Sequence, residues 1–181
     1  ASQSSASTDA EEQAFVFNTA LILDASGSML NSLDGRTRHA VAQDAVSELS
    51  AALPDVINAS LWLYGHRVDK ANQAQSCQDI EEVIPMGPVD ATVFDTVAHS
   101  FDAKGYTPIT DALAQAAQTL TGGPFRHNTI VLVSDGEETC GGDPCALAAV
   151  LAASEAQIVI HTIGLAADDV TRAQLQCIAD A

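Results

Sequence analysis

Leu21-Ile22-Leu23-Asp24-Ala25-Ser26-Gly27-Ser28-Met29 decides the fold: an apolar run ends abruptly in an Asp-x-Ser-x-Ser loop. The run reads as a buried strand, and the loop sets three oxygen-bearing side chains, Asp24, Ser26 and Ser28, at its mouth. Alternation aims them the same way, and Gly27 between them is expected to let the backbone turn so that they converge. Carboxylate and hydroxyl oxygens with no soft ligand suit a hard divalent cation, Mg²⁺ first, with Ca²⁺ or Mn²⁺ as alternatives. Two further stretches extend the pattern. Gly105-Tyr106-Thr107-Pro108 offers the Thr107 hydroxyl in a loop ahead of a helix. Val131-Leu132-Val133-Ser134-Asp135-Gly136 offers a second carboxylate, Asp135, at the end of a second apolar strand.

Outward from these stretches, apolar strands alternate with amphipathic helices. Residues 15–23 read as the first strand and 38–53 as a helix, with Val41, Ala45, Leu49 and Ala52 on its inner face and Pro54 ending it. Residues 59–64 form the next strand, followed by a Gly65-His66-Arg67 turn. Residues 79–86 make a shorter edge strand, in which Glu81-Glu82 discourages pairing with other chains. Helices are expected over 89–101, with Val93, Val97 and Phe101 on one face, and over 109–120. The near-continuous apolar strand at 128–134 implies burial on both faces. Asp143-Pro144 reads as an N-cap and first-turn proline opening a helix over 145–154, then come a strand over 157–165 and a helix over 169–180. This alternation predicts an α/β fold: a doubly wound, mostly parallel sheet with helices on both faces and one short antiparallel edge strand. Ligands of such sheets sit beyond the carboxyl ends of the strands, where Asp24 and Asp135 lie.

The chain has 181 residues, enough for one domain with a full core: a Ser-rich disordered tail or linker over 1–13 and the domain over 14–181. Its 24 acidic against 7 basic residues give a net charge of −17, which repels nucleic-acid phosphates and anionic membranes. Aromatics at 4% leave no stacking platform for single strands. Nucleic acid is excluded as a partner. No apolar run reaches the length of a membrane span, so no membrane insertion is expected within this segment. Cys77, Cys140, Cys145 and Cys177 lack zinc-site spacing, and an even count suits two disulfides in an oxidising compartment.

Asp24, Ser26 and Ser28 with Thr107 and Asp135 resemble the metal-ion-dependent adhesion site of the von Willebrand factor type A domain, over roughly residues 15–181. The resemblance implies that Ser26 and Ser28 ligate the cation directly and that Asp24 acts from beneath through water or a hydroxyl. Thr107 ligates in the ligand-bound state, and Asp135 directly or through water. Such a cation keeps an open position, which in this family takes an Asp or Glu carboxylate of a partner protein. The implied function is a non-enzymatic, metal-dependent adhesion or assembly module. The stretch 138–145 and the segment Gln176-Cys177-Ile178-Ala179 look like the secreted bacterial branch, which places the chain outside the cytoplasm. The family usually adds a strand after the last helix, and 14–181 ends without one.

The family's sheet order makes Cys145–Cys177 the first pairing and Cys77–Cys140 its complement. Cys77–Cys145 with Cys140–Cys177 stays open, and Cys77–Cys177, which would span the sheet, is disfavoured. The rival function is a Mg²⁺-dependent, phosphatase-like hydrolase on a similar sheet. Such enzymes need a second carboxylate two residues after the first, where Ser26 stands; Lys104 is the residue that supports this rival, and Lys70 follows a turn. A third reading makes the domain a subunit of a larger chelatase-type or pore-associated assembly. Glu137 and Glu138 are expected to face solvent, His66 to be an ordinary loop residue, and Arg36 to pair with a carboxylate of the rim.

Overall fold

Short polar residues set the starts of the helices. Thr37 accepts the Ala40 amide, Asp90 those of Thr92 and Val93, Asp143 that of Ala146 and Asp168 that of Thr171. Each cap is worth about 1 kcal/mol over alanine. The computed structural model describes residues 14–181, so the tail expected over 1–13 lies outside the described residues. In chain order the elements are β1 (Val16–Asp24), a 3-10 turn (Gly27–Leu30), β2 (Ser32–Leu33), β3 (Arg36–Thr37), α1 (Arg38–Ala52), β4 (Ile57–Tyr64), α2 (Gln73–Ser76), β5 (Ile80–Pro88), α3 (Ala91–Ala98), α4 (Ile109–Gln118), β6 (Arg126–Ser134), α5 (Pro144–Ala152), β7 (Val159–Gly164) and α6 (Asp169–Ala179).

The main sheet has the order β5-β4-β1-β6-β7. β1 pairs parallel with both β4 and β6, β7 pairs parallel with β6, and β5 closes one edge antiparallel to β4. β2 and β3 form a separate hairpin through Asp34 and Gly35, which take the left-handed φ values of 50° and 85°. Ile22, Tyr64, Ile130 and Leu132 point to one face, under α4, α5 and α6. Leu21, Leu23, Leu61, Leu63 and Val133 point to the other, under α1 and α3. Burial on both faces explains the unbroken apolar runs of β1 and β6. The strand order reverses around β1, so the crevice beyond its carboxyl end is the architectural place for a ligand.

Both helices on the second face sit differently from their periodic reading. On α1 the buried residues are His39, Ala42, Gln43, Val46 and Ser50, while Val41, Ala45 and Leu49 are half-buried and Ala52 is exposed. Small Ala42 and Ser50 flank Val46 on the buried face, and Val41 and Leu49 pack from its flank. α3 is shorter than expected and buries Phe94 and Ala98, leaving Val93 44% exposed. Among the described residues no helix is long and apolar enough to cross a membrane.

The four cysteines stand in two bonds. Cys145–Cys177 joins α5 to α6 on one face, and Cys77–Cys140 joins the end of α2 to the loop after β6.

Candidate metal centre

β1 ends at Asp24, and the 3-10 turn that follows brings the Ser26 and Ser28 hydroxyls to 3.0 Å from each other. Gly27 between them is needed for space rather than for an unusual dihedral. A Cβ there would stand 2.8 Å from the Lys70 Cε and 3.0 Å from the Lys104 carbonyl. β6 ends at Ser134 and delivers Asp135, whose Oδ1 accepts the Ser28 hydroxyl at 2.7 Å. Thr107 comes from the loop before α4. Its hydroxyl converges on Ser28 across Gly136: a Cβ at Gly136 would lie 3.5 Å from the Ser28 Oγ and 3.8 Å from the Thr107 Oγ1. Of the sequence-chosen residues, Ser28, Thr107 and Asp135 thus line one cleft, with Ser26 hydrogen-bonded to Ser28 and Asp24 buried at the end of β1.

Asp24 is fully buried, and both its oxygens are engaged. Oδ1 accepts the Ser26 amide at 2.7 Å, and Oδ2 accepts the Ser134 hydroxyl at 2.6 Å. Burial pushes its carboxyl above the usual range, against the hydrogen bonds from Ser134 and Ser26, which lower it. Ser134 in turn accepts from the Tyr64 hydroxyl at 3.3 Å. Burial, and then the nearby Asp24 charge, holds the Tyr64 hydroxyl well above its ordinary value, so it stays a neutral donor. This inner layer fixes the loop without using the outward-facing oxygens.

Asp135 is divided between two partners. Its Oδ2 lies 2.7 Å from the Arg38 Nη1, with the carboxylate wholly buried. Arg38 is the first residue of α1, two positions beyond Arg36. The expected rim pairing of Arg36 goes instead to Asp44 on the outside of α1, at 2.6 Å. The guanidinium offsets part of the Asp135 charge, so a cation held here would keep more of its electrophilicity.

The Thr107 loop is held by neighbours that the sequence reading missed. Thr139 accepts the Thr107 amide on its hydroxyl at 2.8 Å and donates its own amide to the Thr107 carbonyl at 3.0 Å. Ser76, at the end of α2, accepts the Tyr106 amide at 2.8 Å, and Gln73 donates to the Thr139 carbonyl at 3.3 Å. Cys77 and Cys140 then tie these two segments covalently. α2 has four residues, too few for periodicity to reveal. Glu138, expected in solvent, turns inward: one oxygen accepts the Thr110 amide and hydroxyl at the start of α4, the other the Cys140 amide. Glu137 lines the cleft.

Around the same rim, His66 is buried rather than an ordinary loop residue. Its Nε2 lies 2.9 Å from Glu81, and Asp79 stands beside it. Asp79 accepts the amides of Arg67 and Val68 and the Arg67 Nε, at 2.6, 2.9 and 2.6 Å. Burial raises its carboxyl, but these donors outweigh that and hold it below the ordinary range.

The donor set matches a hard cation. Adjacent oxygens in an octahedral Mg²⁺ shell, at about 2.1 Å from the ion, stand about 3.0 Å apart. The Ser26 and Ser28 hydroxyls have that spacing. Among the described residues no three His, Cys, Asp or Glu side chains cluster as a metal site of their own. A cleft of about 410 Å³ opens above, lined by Ser28, Lys70, Tyr106, Thr107, Asp135 and Gly136 among others. For the hydrolase alternative, Asp24 is the wrong shape of nucleophile, because both oxygens are committed and it lies beneath the serines. Lys104 does not line the cleft, whereas Lys70 does.

Known proteins resemble this chain in sequence or in fold. The chain is 33% identical over 158 residues to the uncharacterized protein YwmD of Bacillus subtilis, a match covering 86% of this chain and 70% of that one. An aerotolerance-related membrane protein from Bacteroides fragilis superposes with a TM-score of 0.70 at 19% identity, covering 90% of this chain and 86% of that one. Proximal thread matrix protein 1 of the mussel byssus, solved with a zinc-occupied MIDAS motif, superposes with a TM-score of 0.63 at 14% identity, over 93% of this chain and 40% of that one. The profile of the von Willebrand factor type A domain matches residues 19–138, and this chain belongs to that family.

Proposed function

We propose that this chain is a non-enzymatic, metal-dependent protein-binding module that works outside the cytoplasm. Ser26, Ser28 and Thr107 supply hydroxyl oxygens to a divalent cation, with Mg²⁺ the first choice. Asp135 ligates directly or through water, and Asp24 acts through the Ser26 amide and Ser134. The cation supplies a Lewis-acidic position for an Asp or Glu carboxylate of a protein partner. The carrying observation is the convergence of three hydroxyls and one carboxylate from three separate loops on a single cleft. The adhesion reading draws on family membership, and the two disulfides favour an oxidising compartment.

Calorimetry with Mg²⁺ and Mn²⁺ tests the assignment. The native chain is expected to bind one equivalent, and Ser26→Ala and Asp24→Ala to abolish the heat while circular dichroism shows a folded chain. Unchanged isotherms for both variants would falsify the metal site. A carboxylate partner must tighten the cation by the same factor by which the cation tightens the partner.

A further inference from the structure

We propose that Lys70 is a second recognition point beside the cation, so that the partner's binding segment carries two acidic side chains rather than one. The proposal rests on the cation site above and extends it. Six of the seven basic residues, Arg36, Arg38, Arg67, Lys70, Lys104 and Arg172, lie in the small hairpin, the loops and the first helical turns that follow the carboxyl ends of the main-sheet strands. Arg126, which opens β6, lies at the other end. A chain with 24 acidic residues thus gathers nearly all its positive charge at the end that holds the cleft.

Four of those six are neutralised locally. Arg36 pairs with Asp44, Arg38 with Asp135, Arg67 with Asp79 and Glu81, and Arg172 with Asp169. Lys70 pairs with no carboxylate among the described residues. The adjacent Asp69 turns away and accepts the Ala71 amide at 2.8 Å. Lys70 is also the one basic side chain lining the cleft with Ser28, Thr107 and Asp135. Its stem lies against Gly27, with the Nζ 3.2 Å from where a Cβ would stand. An exposed ammonium with no counter-ion, beside a site whose own cation takes a carboxylate, complements a segment bearing two carboxylates: one for the cation and one for Lys70. Among the carboxylates of the cleft wall, Asp135 is paired with Arg38, and Glu138 and Asp168 are committed to Thr110 and Thr171; Glu137 has no such partner among the described residues, but it makes no ion pair with Lys70.

The test uses amidated seven-residue Gly/Ser peptides carrying one glutamate, two adjacent glutamates, or two glutamates one residue apart. Each is titrated into the full chain by NMR in Mg²⁺ at low ionic strength. At least one two-glutamate peptide is expected to bind roughly three- to fivefold tighter than the single-glutamate peptide, the upper part of the range for an exposed ion pair. That ratio should fall to about one in Lys70→Gln, return in Lys70→Arg, persist in Arg36→Gln, and shrink in high salt. An equal ratio in the native chain and Lys70→Gln overturns the proposal. A Lys70-dependent ratio that is the same with chelator supports the Lys70 contact while removing the cation reading, so the two failures are distinguishable.

Discussion

Cys77–Cys140 and Cys145–Cys177 hold their Cα atoms at nearly the same distance, 5.5 and 5.6 Å, yet do different work. Cys145–Cys177 joins two helices that already share an apolar core through Ala148, Leu175 and Ile178. It reinforces an interface that burial makes by itself. Cys77–Cys140 joins two loops whose other ties are polar: Ser76 to Tyr106, Gln73 to Thr139, and Thr139 to Thr107. Loops at the end of a sheet have little apolar surface to bury, so polar and covalent ties replace packing. One bond therefore belongs to the core, the other to the site.

The sharpest way to break this comparison is to delete each bond separately. Cys77→Ala with Cys140→Ala, and Cys145→Ala with Cys177→Ala, should each cost about 2–4 kcal/mol in urea unfolding. Only the first pair should weaken Mg²⁺ binding, by roughly tenfold, as loss of an outer support of a metal site does. Equal Mg²⁺ isotherms for the two double variants would erase the distinction.

Asp79 tests whether the site-side bond or the ionic clamp beside it holds the α2 segment. Asp79→Asn should destabilise the chain by about 2–3 kcal/mol at neutral pH, through three weakened hydrogen bonds, two of them to Arg67. Because the Asp79 carboxyl is held low in the folded chain, its contribution is full above the unfolded carboxylate range near pH 4. It is lost as pH falls through the folded value, so the native and variant stabilities should converge in acid. A gap that stays constant down to acid unfolding would show that the carboxylate charge is not its source.

The smallest expected effect sharpens the comparison to one hydroxyl. Thr139→Val removes the acceptor of the Thr107 amide and keeps the side-chain shape. It should cost about 1 kcal/mol, and several-fold in Mg²⁺ affinity, with the Cys77–Cys140 bond intact. Full affinity in this variant would assign the positioning of Thr107 to the disulfide alone.

What the sequence made legible was local in origin. The apolar end of β1, Asp24 and the two serines lie within the nine residues Leu21–Met29, and apolar run, carboxylate and hydroxyls are all written there. The edge position of β5 announced itself through Glu81 and Glu82. Helix existence was legible, but helix facing was not. On α1, Ala42, Val46 and Ser50 went to the sheet and Val41, Ala45 and Leu49 to the flank, a face offset from the periodic reading. The supports of the site were illegible for a different reason. Arg38 reaches Asp135 across 97 positions and Thr139 reaches Thr107 across 32, and neither pair leaves a periodic or spacing signal. Arg36 and Arg38 are equally basic and two residues apart; only the tertiary fold decides which meets the rim.

Beyond the ends of the strands, the backbone goes on pairing. Ser26 and Gly105 form a lone parallel bridge, Gly27 donates to the Gly105 carbonyl at 2.9 Å, Lys104 donates to the Ala25 carbonyl, and Gly105 donates to the Gly65 carbonyl at 2.8 Å. Gly105 alone fits that seam, since a Cβ would come within 2.6 Å of the Val68 carbonyl. The loops bearing the serines and the threonine are thus stitched to each other by main-chain atoms, not by the side chains that line the cleft. For protein engineering this makes the cleft a socket with exchangeable contacts. Ser28, half-buried at the cleft, is the position where a histidine or cysteine would test a change of ion preference with that frame left in place.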